Sequence, residues 1–198
     1  SALSEAHRSG LIHRDVKPEN IFLDGPDRRV VIMDFGIAKA VDEQATHLTA
    51  TGMLVGSPQF MSPEQAAGDR VDALSDQYSL ALVGYRMLSG QLPFEADSVR
   101  ALLYKQATEQ PRPLEHLRPD IPAPLSAIVT KALAKERVQR FATMGDFETA
   151  LTRVASDVAG DFRRRRTVPP FAERWASALS EVYDRPWRWV AALLVGLL

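Results

Sequence analysis

The sequence predicts an α+β fold that is mostly helical, with one small β-hairpin near its start. Three observations carry that prediction. Ile21-Phe22-Leu23 and Val30-Val31-Ile32-Met33 are short runs rich in β-branched residues, and they flank the turn cluster Asp24-Gly25-Pro26-Asp27; this is how a hairpin is written in sequence. Leu74 to Leu88 carries Tyr78, Leu80, Leu82, Val83, Tyr85, Met87 and Leu88 on every helical face, the mark of a buried helix. Further stretches downstream repeat apolar residues at helical spacing, as helices packing one face on a core do.

The elements follow in order. The chain opens on a helical segment in which Leu3 and Ala6 share a face and Gly10 stands as the left-handed residue after the helix end. The hairpin comes next. From Ile37 to Phe60 small and polar residues follow no period, which is too long for an ordinary connection and points to a functional loop. The buried helix, with Gly90 just past its end, is too short for a membrane span and contains Arg86. Ser98 to Gln110 reads as amphipathic, with Val99, Leu102, Leu103 and Gln106 along one side, while Pro111-Arg112-Pro113 and Pro119 to Pro124 are connections. Leu125, Ile128, Val129, Ala132 and Leu133 then keep helical spacing. Thr143 and Asp146 form a variant capping box before a last helix whose Phe147, Ala150, Leu151 and Val154 face inward. The folded domain is expected to close between Val154 and Val158.

At 198 residues and 45% hydrophobic composition the chain can bury one sizeable core and leave a tail. The net charge of −1 provides no field for a nucleic-acid partner. Cysteine is absent, which excludes disulfides and thiolate metal sites and suits a reducing compartment. The four histidines show no ligand spacing.

Chemistry concentrates in His13-Arg14-Asp15-Val16-Lys17-Pro18-Glu19-Asn20, followed fourteen residues after Asn20 by Asp34-Phe35-Gly36. Phosphoryl transfer needs an acidic group at the attacking hydroxyl, oxygen ligands for Mg²⁺ and a cation near the moving phosphate. Asp15 can orient and deprotonate an alcohol, Lys17 can lie against the γ-phosphate, and Asn20 and Asp34 can offer the hard oxygens Mg²⁺ prefers. His13 reads instead as a core histidine bonded to nearby carbonyls.

These residues resemble the eukaryotic-type protein kinases, whose catalytic loop is H-R-D-x-K-x-x-N and whose metal loop is D-F-G; both match without substitution, and Lys17 places the likeness in the Ser/Thr branch. The resemblance covers residues 1 to about 155 and implies the large lobe of the kinase fold, with the hairpin at the catalytic loop and its two ends carrying Asn20 and Asp34. The glycine-rich loop, strand lysine and helix glutamate that such kinases carry upstream are not in this sequence. The chain is therefore expected to be a C-lobe fragment spanning residues 1–157, inactive alone. Ile37 to Phe60 corresponds to the activation segment and Ser62-Pro63-Glu64 to its A-P-E close. Thr46, Thr49 and Thr51 are phosphate acceptors to consider there, with Thr49 and Thr51 best placed by their distance from Gly56-Ser57. Arg14 offers a fork that could hold such a phosphate. Ser57 stands where a threonine usually bonds the catalytic aspartate and lysine. Asp76 matches the aspartate that bonds the catalytic-loop backbone, and Arg140, in preference to Arg137, the arginine that pairs with Glu64. The implied cofactors are ATP and Mg²⁺, with Mn²⁺ as a substitute, and the implied partners are protein substrates, with a homodimer allowed.

Arg163-Arg164-Arg165-Arg166 and Pro169-Pro170 open a basic, proline-containing juxtamembrane linker over 158–186. Residues 187–198 begin Trp187-Arg188-Trp189 and continue apolar to Leu198. Tryptophans at one end of an apolar run and arginines before it suit the start of a transmembrane helix with a cytoplasmic flank. That implies a single-pass protein of the cell membrane with its kinase domain in the cytoplasm, an arrangement the bacterial receptor-type Ser/Thr kinases share. The function expected is transfer of the ATP γ-phosphoryl group to Ser or Thr of proteins and of its own activation segment. The alternative is a membrane-anchored, pseudokinase-like scaffold without catalysis.

Overall fold

A computed structural model of the chain describes residues 2–25, 29–35 and 57–164. Seven α-helices and a two-stranded sheet lie among them: α1 (Ala2–Arg8), β1 (Ile21–Asp24), β2 (Arg29–Ile32), α2 (Pro63–Ala67), α3 (Ala73–Ser89), α4 (Val99–Thr108), α5 (Leu114–Leu117), α6 (Ala123–Ala132) and α7 (Met144–Arg164). Short 3₁₀ turns fill Pro18–Asn20, Pro58–Phe60 and Arg137–Gln139.

Helix α3 is the axis of the molecule. Asp72 caps it, accepting from the Leu74 amide at 2.9 Å while Ser75 Oγ accepts from the Asp72 amide at 3.3 Å, so orphan donors at the helix start are satisfied by side chains. It ends at Gly90, whose φ of 80° is the left-handed value a glycine adopts at no steric cost. Between the caps Tyr78, Leu80, Leu82, Val83, Tyr85 and Leu88 are all buried, and α5, α6 and α7 pack around them. Leu102, Leu114, Leu125, Val129, Leu133, Phe147 and Leu151 complete the core.

Polar side chains pin the surrounding pieces to this axis. Ser79 Oγ donates to the Phe60 carbonyl at 2.7 Å, which fixes the 3₁₀ turn at 58–60. The Gln77 amide accepts from the Phe141 N–H and donates to the carbonyls of Phe141 and Thr143, which fixes the approach to α7. That helix starts on the reciprocal Thr143 and Asp146 bonds, with Asp146 N–H donating to Thr143 Oγ1 at 3.1 Å and Thr143 Oγ1 to Asp146 Oδ2 at 2.8 Å. It continues to Arg164. No proline intervenes before Pro169, so the backbone can stay helical after Val154. On α4, Leu102 and Gln106 are buried but Val99, in the first turn, is 45% exposed; the amphipathic side is shorter than the spacing suggests.

The closing piece is a buried ion pair. Arg140 Nη1 and Nη2 bind Glu64 Oε1 and Oε2 at 2.8 and 2.9 Å, the fork geometry that makes an arginine–carboxylate pair directional. The remaining guanidinium donors meet the carbonyls of Ala134, Leu74 and Lys135, so all five N–H groups are matched. Ser75 Oγ donates to Glu64 Oε1 at 2.7 Å. One arginine thus ties α2, the first turn of α3 and the 134–135 loop together. Burial pushes the Glu64 carboxyl up, but the bonds and charge of Arg140 and the Ser75 hydroxyl outweigh it and hold the group below its ordinary 4.5. Arg137 goes elsewhere, to Asp72 at 2.8 Å and to the Arg70 carbonyl.

Breaking this pair from one side strands a buried charge. Arg140→Met is expected to destabilise the protein by about 3–5 kcal/mol, whereas Glu64→Leu together with Arg140→Met costs less than the single change; urea denaturation of both variants checks the order. Because the folded-state value is depressed, the contribution of the pair is complete above the unfolded value of 4.5 and drains as pH falls through the lower folded one. The gap between wild type and Arg140→Met should therefore narrow in melts taken at progressively more acid pH.

Candidate functional site

Residues 11–20 form a loop between α1 and β1, and its shape is set by what grips its backbone. Asp76, on the first turn of α3 and 1% exposed, accepts from the His13 amide through Oδ2 and from the Arg14 amide through Oδ1, both at 2.8 Å. His7 Nε2–H, from the last turn of α1, donates to the same Oδ2 at 2.8 Å. From the other side, Gln65 Nε2–H donates to the Arg14 carbonyl at 2.9 Å. Arg14 is thereby held at a φ of 65°, a left-handed conformation that costs a non-glycine residue about 1–3 kcal/mol.

His13 is wholly buried and acts as a spacer. Its Nδ1 accepts from the Asp15 amide at 3.3 Å and its Nε2 faces the Met33 carbonyl at 3.0 Å. An amide can only donate and a carbonyl can only accept, so the ring is the neutral Nε2–H tautomer. Phe35 packs against it with the rings tilted by 44° and their centroids 4.6 Å apart. The residues on either side of Asp34 are thus fastened to the same imidazole that holds Asp15.

The side chains of the loop converge. Lys17 Nζ lies 3.0 Å from Asp15 Oδ2. Asn20, buried at the end of the 3₁₀ turn, donates through Nδ2 to the Asp15 carbonyl at 2.8 Å and reaches Asp15 Oδ2 at 3.5 Å. The hairpin continues directly from it: Ile21 pairs with Ile32, and the Met33 amide donates to the Asn20 carbonyl at 2.9 Å. Asp34, the next residue, is exposed and left-handed at a φ of 57°. Asp15, Lys17 and Asn20 therefore share one cluster, and Asp34 stands one residue beyond the last rung of the strand pair that begins at Asn20.

Of the other expected site residues, Ser57 heads the 58–60 turn, half-buried, its carbonyl accepting from the Phe60 amide at 3.1 Å. Glu64 and Arg140 form the pair already described. Thr46, Thr49 and Thr51 lie outside the described residues, as does the run 187–198; among the described residues no helix is long and apolar enough to cross a membrane. Sequence reasoning missed three features. His7 and Gln65 act on the loop from 69 and 51 residues away from the groups they bond, and only the Ser62-x-x-Gln65 capping pattern was there to notice. Phe22 and Met33 are 47% and 48% exposed, an apolar edge on the hairpin beside Asn20 and Asp34.

Comparison with known proteins bears on this site. A family model described as a protein kinase domain matches residues 1–151. The chain is 43% identical over 153 residues to serine/threonine-protein kinase PknB of Mycobacterium tuberculosis (strain ATCC 25618 / H37Rv), covering 77% of this chain and 24% of the relative. It is 44% identical over 150 residues to a probable PknB of Bifidobacterium longum, covering 75% and 21%, and 39% identical over 187 residues to serine/threonine-protein kinase pkn3 of Myxococcus xanthus, covering 90% and 33%. The chain thus spans about a fifth to a third of the length of these curated relatives. With a match that runs from α1 into α7 and encloses the whole Asp15 cluster, the chain belongs to the protein kinase family.

Proposed function

We propose that this protein is an ATP-dependent protein serine/threonine kinase. The observation that carries the reading is the Asp15, Lys17 and Asn20 cluster: a carboxylate with an ammonium 3.0 Å away and a carboxamide oriented by its bond to the Asp15 carbonyl. In this reading Asp15 accepts the proton of a serine or threonine hydroxyl as its oxygen bonds to the γ-phosphorus and the bond to the bridging oxygen of ADP breaks. Lys17 brings a cation to the charge that gathers on the transferring group. The donor set fits Mg²⁺: Asn20 uses its nitrogen toward Asp15, so its Oδ1 is the atom turned over to a cation, and Asp34 adds an exposed carboxylate. Mg²⁺ is usually held by one or two protein oxygens and the substrate's phosphates, and when bound it would neutralise phosphate charge. The exposed edge of Phe22 and Met33 supplies an apolar face beside these ligands, suited to a purine ring.

Arg14 and the threonines of the segment extend the reading to regulation, with Thr49 and Thr51 as sites of autophosphorylation. The tail extends it to location, with residues 187–198 entering a membrane after the arginine run. Tryptophan at an interface and arginine on the cytoplasmic side are the physical support for that.

The tests use the full-length gene product. Asp15→Asn is expected to lower kcat by about 10²–10⁴-fold, and mass spectrometry should find phosphate on Thr49 or Thr51 in the wild type but not in this variant; equal turnover by both would sink the kinase reading. Phe22→Asp is expected to raise the KM for ATP by about tenfold or more, at little cost in kcat, by placing a charge where the purine packs. On cell fractionation, deletion of residues 187–198 should move the protein from the membrane pellet to the supernatant.

A further inference from the structure

The carboxamide of Gln65 has an orientation dictated by its neighbours. Its Oε1 accepts from the Ser62 amide at 3.0 Å and from Ser62 Oγ at 3.2 Å, while its Nε2–H donates to the Arg14 carbonyl at 2.9 Å. The Ser62 amide can only donate and the Arg14 carbonyl can only accept, so the group cannot be turned over. The Gln65 amide in turn donates to Ser62 Oγ at 3.3 Å, which completes the capping box at the start of α2. A glutamate would cap α2 equally well. It would, however, turn an acceptor toward the carbonyl of Arg14. Glutamine is needed only for the second contact.

That second contact is made at a strained residue. Arg14 is left-handed, and such residues persist where their surroundings over-determine them. Asp76 holds its N–H and Gln65 its C=O, and the next residue is Asp15. Gln65 is 8% exposed, so its bond works in a partly water-free setting where a mismatched polar group is costly. Helix α2, which carries it, begins directly after Ser62 and so closes the segment that precedes it. We infer that Gln65 is a positioning residue: its amide nitrogen fixes the Arg14 carbonyl, and with it the direction in which Asp15 leaves the backbone, so that the placement of α2 is transmitted to the base. This inference rests on the kinase reading of Asp15.

Two variants of the full-length protein separate this role from a structural one. Gln65→Glu keeps both bonds from Ser62 and removes only the donor to Arg14. Ser62→Ala removes the cap and leaves that donor in place. With ATP, Mg²⁺ and dephosphorylated casein as acceptor, Gln65→Glu is expected to lower kcat by about tenfold with the KM for ATP within about twofold of wild type, and to melt about 2–4 °C lower, as a mismatched buried polar group requires. Ser62→Ala is expected to lose a similar amount, about 2–4 °C, but to keep its kcat within about twofold. The inference is overturned if Gln65→Glu unfolds or turns over like wild type, or if Ser62→Ala loses as much kcat as Gln65→Glu at the same cost in melting temperature, since the loss of turnover would then follow from loosening α2 and nothing more. A wild type that transfers no phosphate to casein or to itself counts against the kinase reading instead.

Discussion

The carboxylate of Asp76 is the contact on which this structure turns. It sits almost wholly out of water and receives three donors, from His7, His13 and Arg14. A buried charge is tolerated only when it is hydrogen-bonded, and here the donors that satisfy it include the backbone of the loop that carries Asp15, Lys17 and Asn20. Its place on the first turn of α3 helps, because the amino end of a helix favours negative charge. That turn is itself fixed, since Arg140 bonds the Leu74 carbonyl and Glu64 accepts from Ser75. A continuous set of polar contacts therefore runs from the buried ion pair, through the start of the central helix, to the peptide groups beside Asp15.

Strain is concentrated where this set ends. Arg14 and Asp34 are the non-glycine residues with positive φ among the described residues, and each adjoins or is a residue of the site. Neither conformation is left to itself. Arg14 is gripped at both its peptide groups. Asp34 lies between Met33, bonded to Asn20 and His13, and Phe35, whose ring packs at a tilt against His13. Holding the Asp15 amide and the two neighbours of Asp34 from one buried imidazole gives two short segments of different origin a common reference point, as a preorganised site requires.

How much of this could be read in the sequence depends on distance along the chain. Asp15, Lys17 and Asn20 fall within six positions, so their grouping was visible at once, and the all-round apolar pattern of α3 and the flanking turn residues of the hairpin were equally local. The Glu64 and Arg140 pair spans 76 residues and was accessible only through family resemblance, since no periodicity encodes an ion pair. His7 with Asp76 and Gln65 with Arg14 had no such help. A single polar contact between distant elements leaves no repeat, spacing or composition to find.

The grips on the loop share a property with consequences for which residues matter. Asp76, Gln65, Asn20 and His13 all bind main-chain atoms of residues 13–15. Every residue but proline offers the same N–H and C=O. The path of the loop is therefore set by the scaffold that surrounds it, and the side chains of the loop are left for the chemistry proposed for them. Damage to the site should accordingly come by two separate routes: loss of a side chain that meets the reacting groups, which leaves the backbone where it was, or loss of a distant side chain such as Asp76, which leaves every chemical group present and aims none of them.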